Sequence, residues 1–506
     1  MATLTPDHSD TNRAASPGRV TIAVLSDVHY GTASALSLRR NEIADILLLR
    51  AVRRLNRLIH PDVTLLLGDL VDDGRSTEAA GRLATLRGIL DKLQSPWIVI
   101  PGNHDGDPEA FYQVFDRPGA SVDLCGVRFL PFVDREEPGY NASRRPEDIG
   151  RFQLARADWR GPLVALQHVC LAPPLQSAAP YNYINAPEII RAMTEAGVSL
   201  SISGHHHHGA ESVRNETTTF VTAPGLCEAP FPFLLITVEG ERITVERQQL
   251  AMPAQLGLVD THVHSELAYC GENVSVSAAI PLAKEFGLAG MGFSEHSGQL
   301  YYDERSYWAG QWFEEGIAGA KDADNRMPGY LSLIEDHRSP GVSFGLEVDY
   351  DAAGKPLLRP EHRGQFDHLI GSIHRLPSLY SPSVRREILE DEFMGLLEQL
   401  VKDGIDIVAH PFRVLRRGGL PVSERLFRPA ATLLRKHGVA MEINFHNNQP
   451  PVEFVRLCLE MGIRFSLGSD SHNLCEIGEF ADHLQLLREA GFTGELSDVL
   501  LPRPRW

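Results

Sequence analysis

The chain has 506 residues, of which 43% are hydrophobic and 23% charged, and its formal net charge is −18. That is an ordinary globular composition, with length for about three domains and apolar material for two cores. The acidic balance argues against extended contact with a nucleic-acid backbone or an anionic membrane, although bound divalent ions can reverse the field inside a site that takes a small phosphorylated substrate.

Residues 1–19 are polar, lack the apolar stretch of a signal peptide and read as a flexible tail. No apolar run is long enough to cross a bilayer, so a cytoplasmic location without membrane partners is expected. Six cysteines (Cys125, Cys170, Cys227, Cys270, Cys458 and Cys475) form no CxxC pair, which fits a reducing compartment better than a disulfide framework or zinc knuckle.

From Val20 to about Gln249, short apolar runs alternate with helical stretches such as 41–59 and 78–94. The runs VTIAVL, DVTLLL, WIVI, LVAL and VSLSIS end in the polar clusters SDVH, GDLVDD, PGNHD, QH and GHHHHG. FLLITVEGERITVERQ closes this half as a hairpin turning at Glu239-Gly240. The segment 251–257 reads as a linker, giving one domain over 20–250 and another over 258–506. In the second half the same rhythm recurs at LVDTHVHS, GMGFSEHS, SFGLEVD, HLIGSIH, IDIVAHP, AMEINFH and RFSLGSDSH. Such α/β folds gather their sites outside the carboxyl ends of the strands, so metal-ligand types at successive strand ends predict one shared site per domain.

The first candidate set is Asp27 and His29, Asp69, Asn103, His168, and His205 with His207. Carboxylate, imidazole and amide oxygen suit Mn, Fe or Zn, and soft thiolates are missing from the set. Two ions bridged by one carboxylate, here Asp69, can share a hydroxide for in-line attack on phosphorus. His104, beside a ligand, would protonate the leaving oxygen or stabilise transition-state charge. Asp72, Asp73 and Asp105 would orient ligands or cap loops, and His206 and His208 would stay outside the ligand set. The order DxH, GDxxD, GNHD, H, GHxH resembles the calcineurin-like metallophosphoesterases over roughly 20–235, which implies a four-layer αββα sandwich with a dinuclear site.

The second set is His262 and His264, two apart and so on one strand face, then His296, Glu347, His374, His410, Asp470 and His472, with Glu272 from a loop. Nine ligands exceed one ion and point to two or three, with Glu347 as the bridging carboxylate. HxHS, SEH, GLE, a lone His, AHP and GSDSH resemble the PHP family over about 258–480. That resemblance implies a distorted seven-stranded β/α barrel with a trinuclear Zn, Mn or Fe site that hydrolyses phosphate esters. Many members carry His where Glu272 falls, and a solvated loop glutamate is its plain alternative. Arg375 and Arg413 follow ligands and could clamp a phosphate, or sit at the barrel rim as ordinary surface arginines. The aromatic-rich segment 299–340 is long enough for a lid or recognition surface, or a structural patch. Together the readings describe a bifunctional metal-dependent phosphoesterase acting on small phosphomonoesters or phosphodiesters. Two alternatives stay open: a nuclease or phosphatase processing nucleic-acid ends, and one catalytic domain with the other regulatory.

Overall fold

The apolar runs of the first half become strands because they are short, rich in Val, Ile and Leu, and buried on both faces. The computed structural model describes residues 18–33, 38–381, 385–419 and 421–502, so 1–17 of the expected tail lie outside the described residues. The chain divides into two compact units, Met1–Leu250 and Ala251–Trp506.

In the first unit, Arg19–Leu25, Val63–Leu67 and Trp97–Ile100 run parallel, and Pro232–Glu239 with Arg242–Gln249 extends that sheet antiparallel. A second sheet is ordered Ala210–Arg214, Thr219–Thr222, Leu200–Ser203, Leu163–Leu166, Val127–Pro131 and Val122–Leu124. Alternation along the strands splits their side chains between two layers. Val24, Leu65 and Ile100 of one sheet meet Phe129, Val164 and Ile202 of the other in a single core. The opposite face of the second sheet, with Leu130, Leu163 and Ala165, is covered by Phe152 of helix Arg151–Ala157 and Ile189 of helix Ala186–Ala196. Helices Ala44–Arg54 and Ala79–Leu90 connect the parallel strands of the first sheet, completing the αββα sandwich. The helix expected over 78–94 stops at Leu90, ahead of Ser95-Pro96, whose proline disfavours continuation. The hairpin pairs Glu239 with Arg242, so it turns on Gly240-Glu241, one residue later than expected, with Gly240 at φ +58°.

In the second unit, seven parallel strands lie in sequence order: Val259–Val263, Gly290–His296, Val342–Asp349, His368–Ser372, Ile407–Val408, Ala440–Ile443 and Phe465–Leu467. The first and last are tied where they meet: Thr261 Oγ1 donates to the Leu467 carbonyl at 2.8 Å, and the Asp470 amide to the His262 carbonyl at 2.7 Å. The sheet is therefore nearly closed as a barrel. Helices Ser297–Tyr301, Glu304–Ala309, Gln311–Glu315 and Met327–His337 fill the long connection before the third strand. Tyr301, Tyr307, Trp312 and Phe313 there are buried, whereas Trp308 is 57% exposed. Among the described residues no helix is long and apolar enough to cross a membrane.

Phe129 is fully buried between the two sheets of the first unit. Phe129→Ala should destabilise that unit by about 3–5 kcal/mol. Urea unfolding followed by circular dichroism measures this, and an unfolding curve identical to that of the parent would contradict the sandwich core.

Candidate metal centres

The N-terminal candidates come from five strand ends and the loops after them, and the backbone there is bent to deliver them. Asp27, His29, Asp69 and His205 all take positive φ, between 52° and 68°, although none is glycine. Such strain concentrates at functional sites. Gly102 leaves room for the close approach: a Cβ there would lie 2.8 Å from His168 Cε1 and 2.5 Å from the Asp69 amide.

Asp69 stands between two groups of ligand atoms. Its Oδ2 is 3.6 Å from His29 Nε2 and 3.2 Å from His168 Nε2. On one side His29 Nε2 meets His207 Nε2 at 3.1 Å, and Asp27 Oδ1 lies 3.5 Å from His207 Nε2. On the other, His168 Nε2 is 3.1 Å from Asn103 Oδ1 and 3.2 Å from His205 Nδ1. The structure thus brings all seven N-terminal ligand candidates together. The remaining ring nitrogens are held from outside: His168 Nδ1 by the Leu67 carbonyl at 2.6 Å, His207 Nδ1 by Glu228 at 2.7 Å, His205 Nε2 by the Tyr140 carbonyl at 3.1 Å, and His29 Nδ1 by Asp72 at 3.2 Å. Glu228 and Tyr140 were not singled out by the motifs, since neither lies in one. Asp105 accepts from the amides of Leu70, Val71 and Gly102, capping the ligand loops, while Asp73 accepts from Arg75. His104 donates Nδ1–H to the Asp72 carbonyl at 2.7 Å, and its ring lies 4.8 Å from that of His29.

The C-terminal set is built around Glu347, which has no exposed surface. Its oxygens lie 2.6 Å from His296 Nδ1, 2.9 Å from His410 Nε2, 3.2 Å from His374 Nε2, 3.6 Å from His262 Nε2 and 3.9 Å from His264 Nε2. Asp470 Oδ1 adds contacts to His264 at 3.0 Å and His262 at 3.7 Å, and the His472 ring packs 4.3 Å from that of His264. Glu272 stands apart: it is exposed, and its carboxylate accepts from Asn473 at 2.6 Å. Arg413 is buried in the set, donating to Asp470 at 2.6 Å and to His374 Nε2 at 2.9 Å. Arg375 instead lies over the Phe313 and Tyr380 rings, 5.8 and 5.2 Å from their centroids.

Three fully buried carboxylates hold the imidazoles from behind: Glu442 on His262 Nδ1 at 2.7 Å, Glu295 on His264 Nδ1 at 3.3 Å, and Asp349 on His374 Nδ1 at 2.6 Å. Glu295 lies within the SEH motif and Glu442 on a strand end, so their places were visible but their partners were not. His446 stacks on His472, with ring centroids 4.7 Å apart.

Electrostatics ties the two centres to cation binding. Burial opposes protonation of His168, but Asp69 outweighs it and lifts the imidazole to about 10. Burial likewise opposes charge on His207, and the hydrogen bond to Asp27 raises it to about 11. Burial would push Glu347 up, yet His374, His296 and His262 hold it well below the usual carboxylate range. Asp27 Oδ1 and His262 Nε2 are buried and make no hydrogen bond among the described residues. Buried polar atoms left this way call for a partner, and mixed imidazole and carboxylate donors around them fit Mn, Fe or Zn.

Comparison with known proteins gives the same division. The model of the calcineurin-like phosphoesterase family matches residues 20–209, and that of the PHP domain matches 260–446. Curated relatives include a probable histidinol-phosphatase from Deinococcus radiodurans, 26% identical over 257 residues, covering 46% of this chain and 94% of that protein. A probable phosphatase from Acetivibrio thermocellus is 25% identical over 160 residues, covering 30% of this chain and 61% of its own length. Similar solved structures include a dimetal phosphatase from Danio rerio, with TM-score 0.40, 15% identity, and coverage of 46% of this chain and 96% of its own. Another is a histidinol phosphate phosphatase from Lactococcus lactis, solved with zinc, L-histidinol and phosphate, with TM-score 0.30, 15% identity, and coverage of 47% and 95%. The chain joins a calcineurin-like phosphoesterase domain to a PHP domain, and it is a metal-dependent phosphoesterase.

Proposed function

We propose that the chain is a bifunctional phosphoesterase whose two domains each hydrolyse small phosphomonoesters or phosphodiesters at a separate metal cluster. The observation that carries this reading is the pair of ligand sets, which share no residue and each converge on a buried carboxylate, Asp69 or Glu347. Asp27, His29, Asp69 and His207 would hold one ion of a pair, and Asp69, Asn103, His168 and His205 the other. Glu347 and the seven candidates around it would hold two or three more, drawn from Mn, Fe or Zn. Such ions lower the pKa of a water and offset the charge that develops on the phosphoryl oxygens. The name of the Deinococcus relative supports a phosphomonoester as one substrate class.

The chain's own groups then have defined tasks. His104 keeps Nδ1–H on the Asp72 carbonyl, which leaves Nε2 as the end that passes a proton to the leaving oxygen. Arg413 brings a guanidinium into the C-terminal set, where its fork geometry suits two phosphoryl oxygens. Glu442, Glu295 and Asp349 hold His262, His264 and His374 with Nε2 turned toward Glu347 or Asp470.

His29→Ala and His262→Ala should each remove a different partial activity in a screen of phosphomonoesters, cyclic nucleotides and other diesters. Plasma mass spectrometry should find about four or five ions in the parent and a loss confined to the altered cluster in each variant. If either variant kept both activities, the two-site reading would fall.

Metal uptake should release protons. His168 and His207, raised to about 10 and 11, hold protons at neutral pH that a cation must displace. Affinity should therefore rise as pH increases from 7 toward 10. Calorimetry in buffers of different ionisation enthalpy reads the proton count, and zero release at pH 7.5 would rule out these imidazoles as ligands.

A further inference from the structure

The N-terminal site has an aromatic rim that its ligand chemistry does not use. Arg135–Glu137 and Asn141–Ser143 pair as a small hairpin with Glu137 opposite Asn141, so Pro138, Gly139 and Tyr140 form its turn. Tyr140 sits at φ +60°, a conformation that costs a bulky residue energy and persists only where the surroundings impose it. Here its carbonyl accepts His205 Nε2–H at 3.1 Å, fixing the turn beside a candidate ligand. The residue remains 58% exposed, with its ring 6.3 Å from the His205 ring and 6.0 Å from that of Tyr181. Tyr181 lies 4.7 Å from His205 at an interplanar angle of 67°. Backbone pairing holds the two pieces together: the Ile184 amide donates to the Ala142 carbonyl at 2.9 Å, and the Asn182 amide to Asn141 Oδ1 at 3.1 Å. The same loop leaves Ile184 65% exposed.

A turn that strains a tyrosine and leaves its ring in solvent gains little for folding. Two pre-placed aromatic rings next to the ligand imidazole offer a surface for a planar group at low entropic cost. We propose that Tyr140 and Tyr181 form a subsite for an aromatic ring carried by the ester, so that the N-terminal domain prefers nucleoside phosphates over the corresponding sugar phosphates. This rests on the reading of the Asp69 cluster as a phosphoesterase site. The acidic chain is no obstacle to a single nucleotide, because it needs no extended phosphate contact.

The test uses the full-length His262→Ala chain, so that the C-terminal site is silent, loaded with Mn. Adenosine 5′-phosphate and ribose 5-phosphate differ only in the base. The expected kcat/KM preference for the nucleotide is about tenfold, and Tyr140→Ala or Tyr181→Ala should each remove most of it while ribose 5-phosphate stays within about twofold. Tyr140→Phe should retain the preference, since the ring and not the hydroxyl carries it. Bound metal should be unchanged in all three variants by plasma mass spectrometry. A preference untouched by both alanine variants would overturn the proposal, and so would equal loss on both esters with loss of metal, which would make Tyr140 a support for His205 alone. Saturation-transfer NMR with adenosine, which has no phosphate to lose, separates the two readings. If neither ester is cleaved but adenosine binds and Tyr140→Ala abolishes that binding, the subsite stands and monoester hydrolysis falls. If adenosine does not bind, the subsite falls.

Discussion

A carboxylate buried among imidazoles is costly unless its charge is answered, and each half of this protein is organised around one. Removing a carboxylate from water costs several kcal/mol even after the protein relaxes. Glu347 has no exposed surface, and five imidazoles lie within 4 Å of it. Asp69, also buried, faces imidazoles on both sides. Without cations, protons on the histidines supply the answering charge, which is why His168 and His207 rise so far. A divalent ion does the same work with stronger, directional bonds, and the protons it displaces are the ones that kept the cluster intact. Metal binding and the integrity of the strand ends are therefore linked.

That arrangement functions only if each imidazole presents the correct nitrogen. In both domains the answer is a hydrogen bond from outside the cluster, to a carboxylate in His262, His264, His374 and His207, and to a backbone carbonyl in His168 and His205. The two folds reach it differently. The sandwich bends its loops through positive φ to bring Asp27, His29 and Asp69 together. The barrel needs less bending at the first strand, because alternation already puts His262 and His264 on one face. Close packing seals the arrangement: a Cβ on Gly468 would lie 2.9 Å from that of His262.

Much of this was legible in the sequence because strand ends repeat. Once the apolar runs are read as strands, the residues after them share one end of the sheet, and Asp27, Asp69, Asn103, His168 and His205 fall into a common place without any knowledge of pairing. The sandwich and the barrel themselves come from the resemblance of these ordered motifs to two families, since the rhythm alone indicates only alternating strands and helices. What could not be read were partners set by three-dimensional proximity. Glu442 lies 180 positions from His262, and nothing local in AMEINFH identifies the ring it holds. Tyr140 acts through its carbonyl, which no side-chain pattern reports. Arg375 stands directly after a ligand candidate and Arg413 three residues after one, yet the first packs on aromatic rings and the second enters the cluster, because Arg413 begins a short helix after Phe412 at φ +71° while Arg375 continues a loop. Glu272 is tied to the set through its backbone, its amide donating to the His472 carbonyl at 2.9 Å, while its exposed carboxylate accepts from Asn473.

The overall acidity acquires meaning beside these clusters. At a formal charge of −18 the chain would repel a phosphate ester from most of its surface. Under the proposed function, cations held in the two carboxylate-centred pockets would supply the local attraction. A substrate that carries its charge on one phosphoryl group can be held there while the rest of it rests on neutral surface. A polyphosphate backbone would have to lie across the acidic remainder, at a cost that grows with every added charge. Net charge thus weighs against a long phosphate backbone more than against a single phosphoryl group, and it gives neutral groups beside the pockets a larger part in the proposed discrimination among esters.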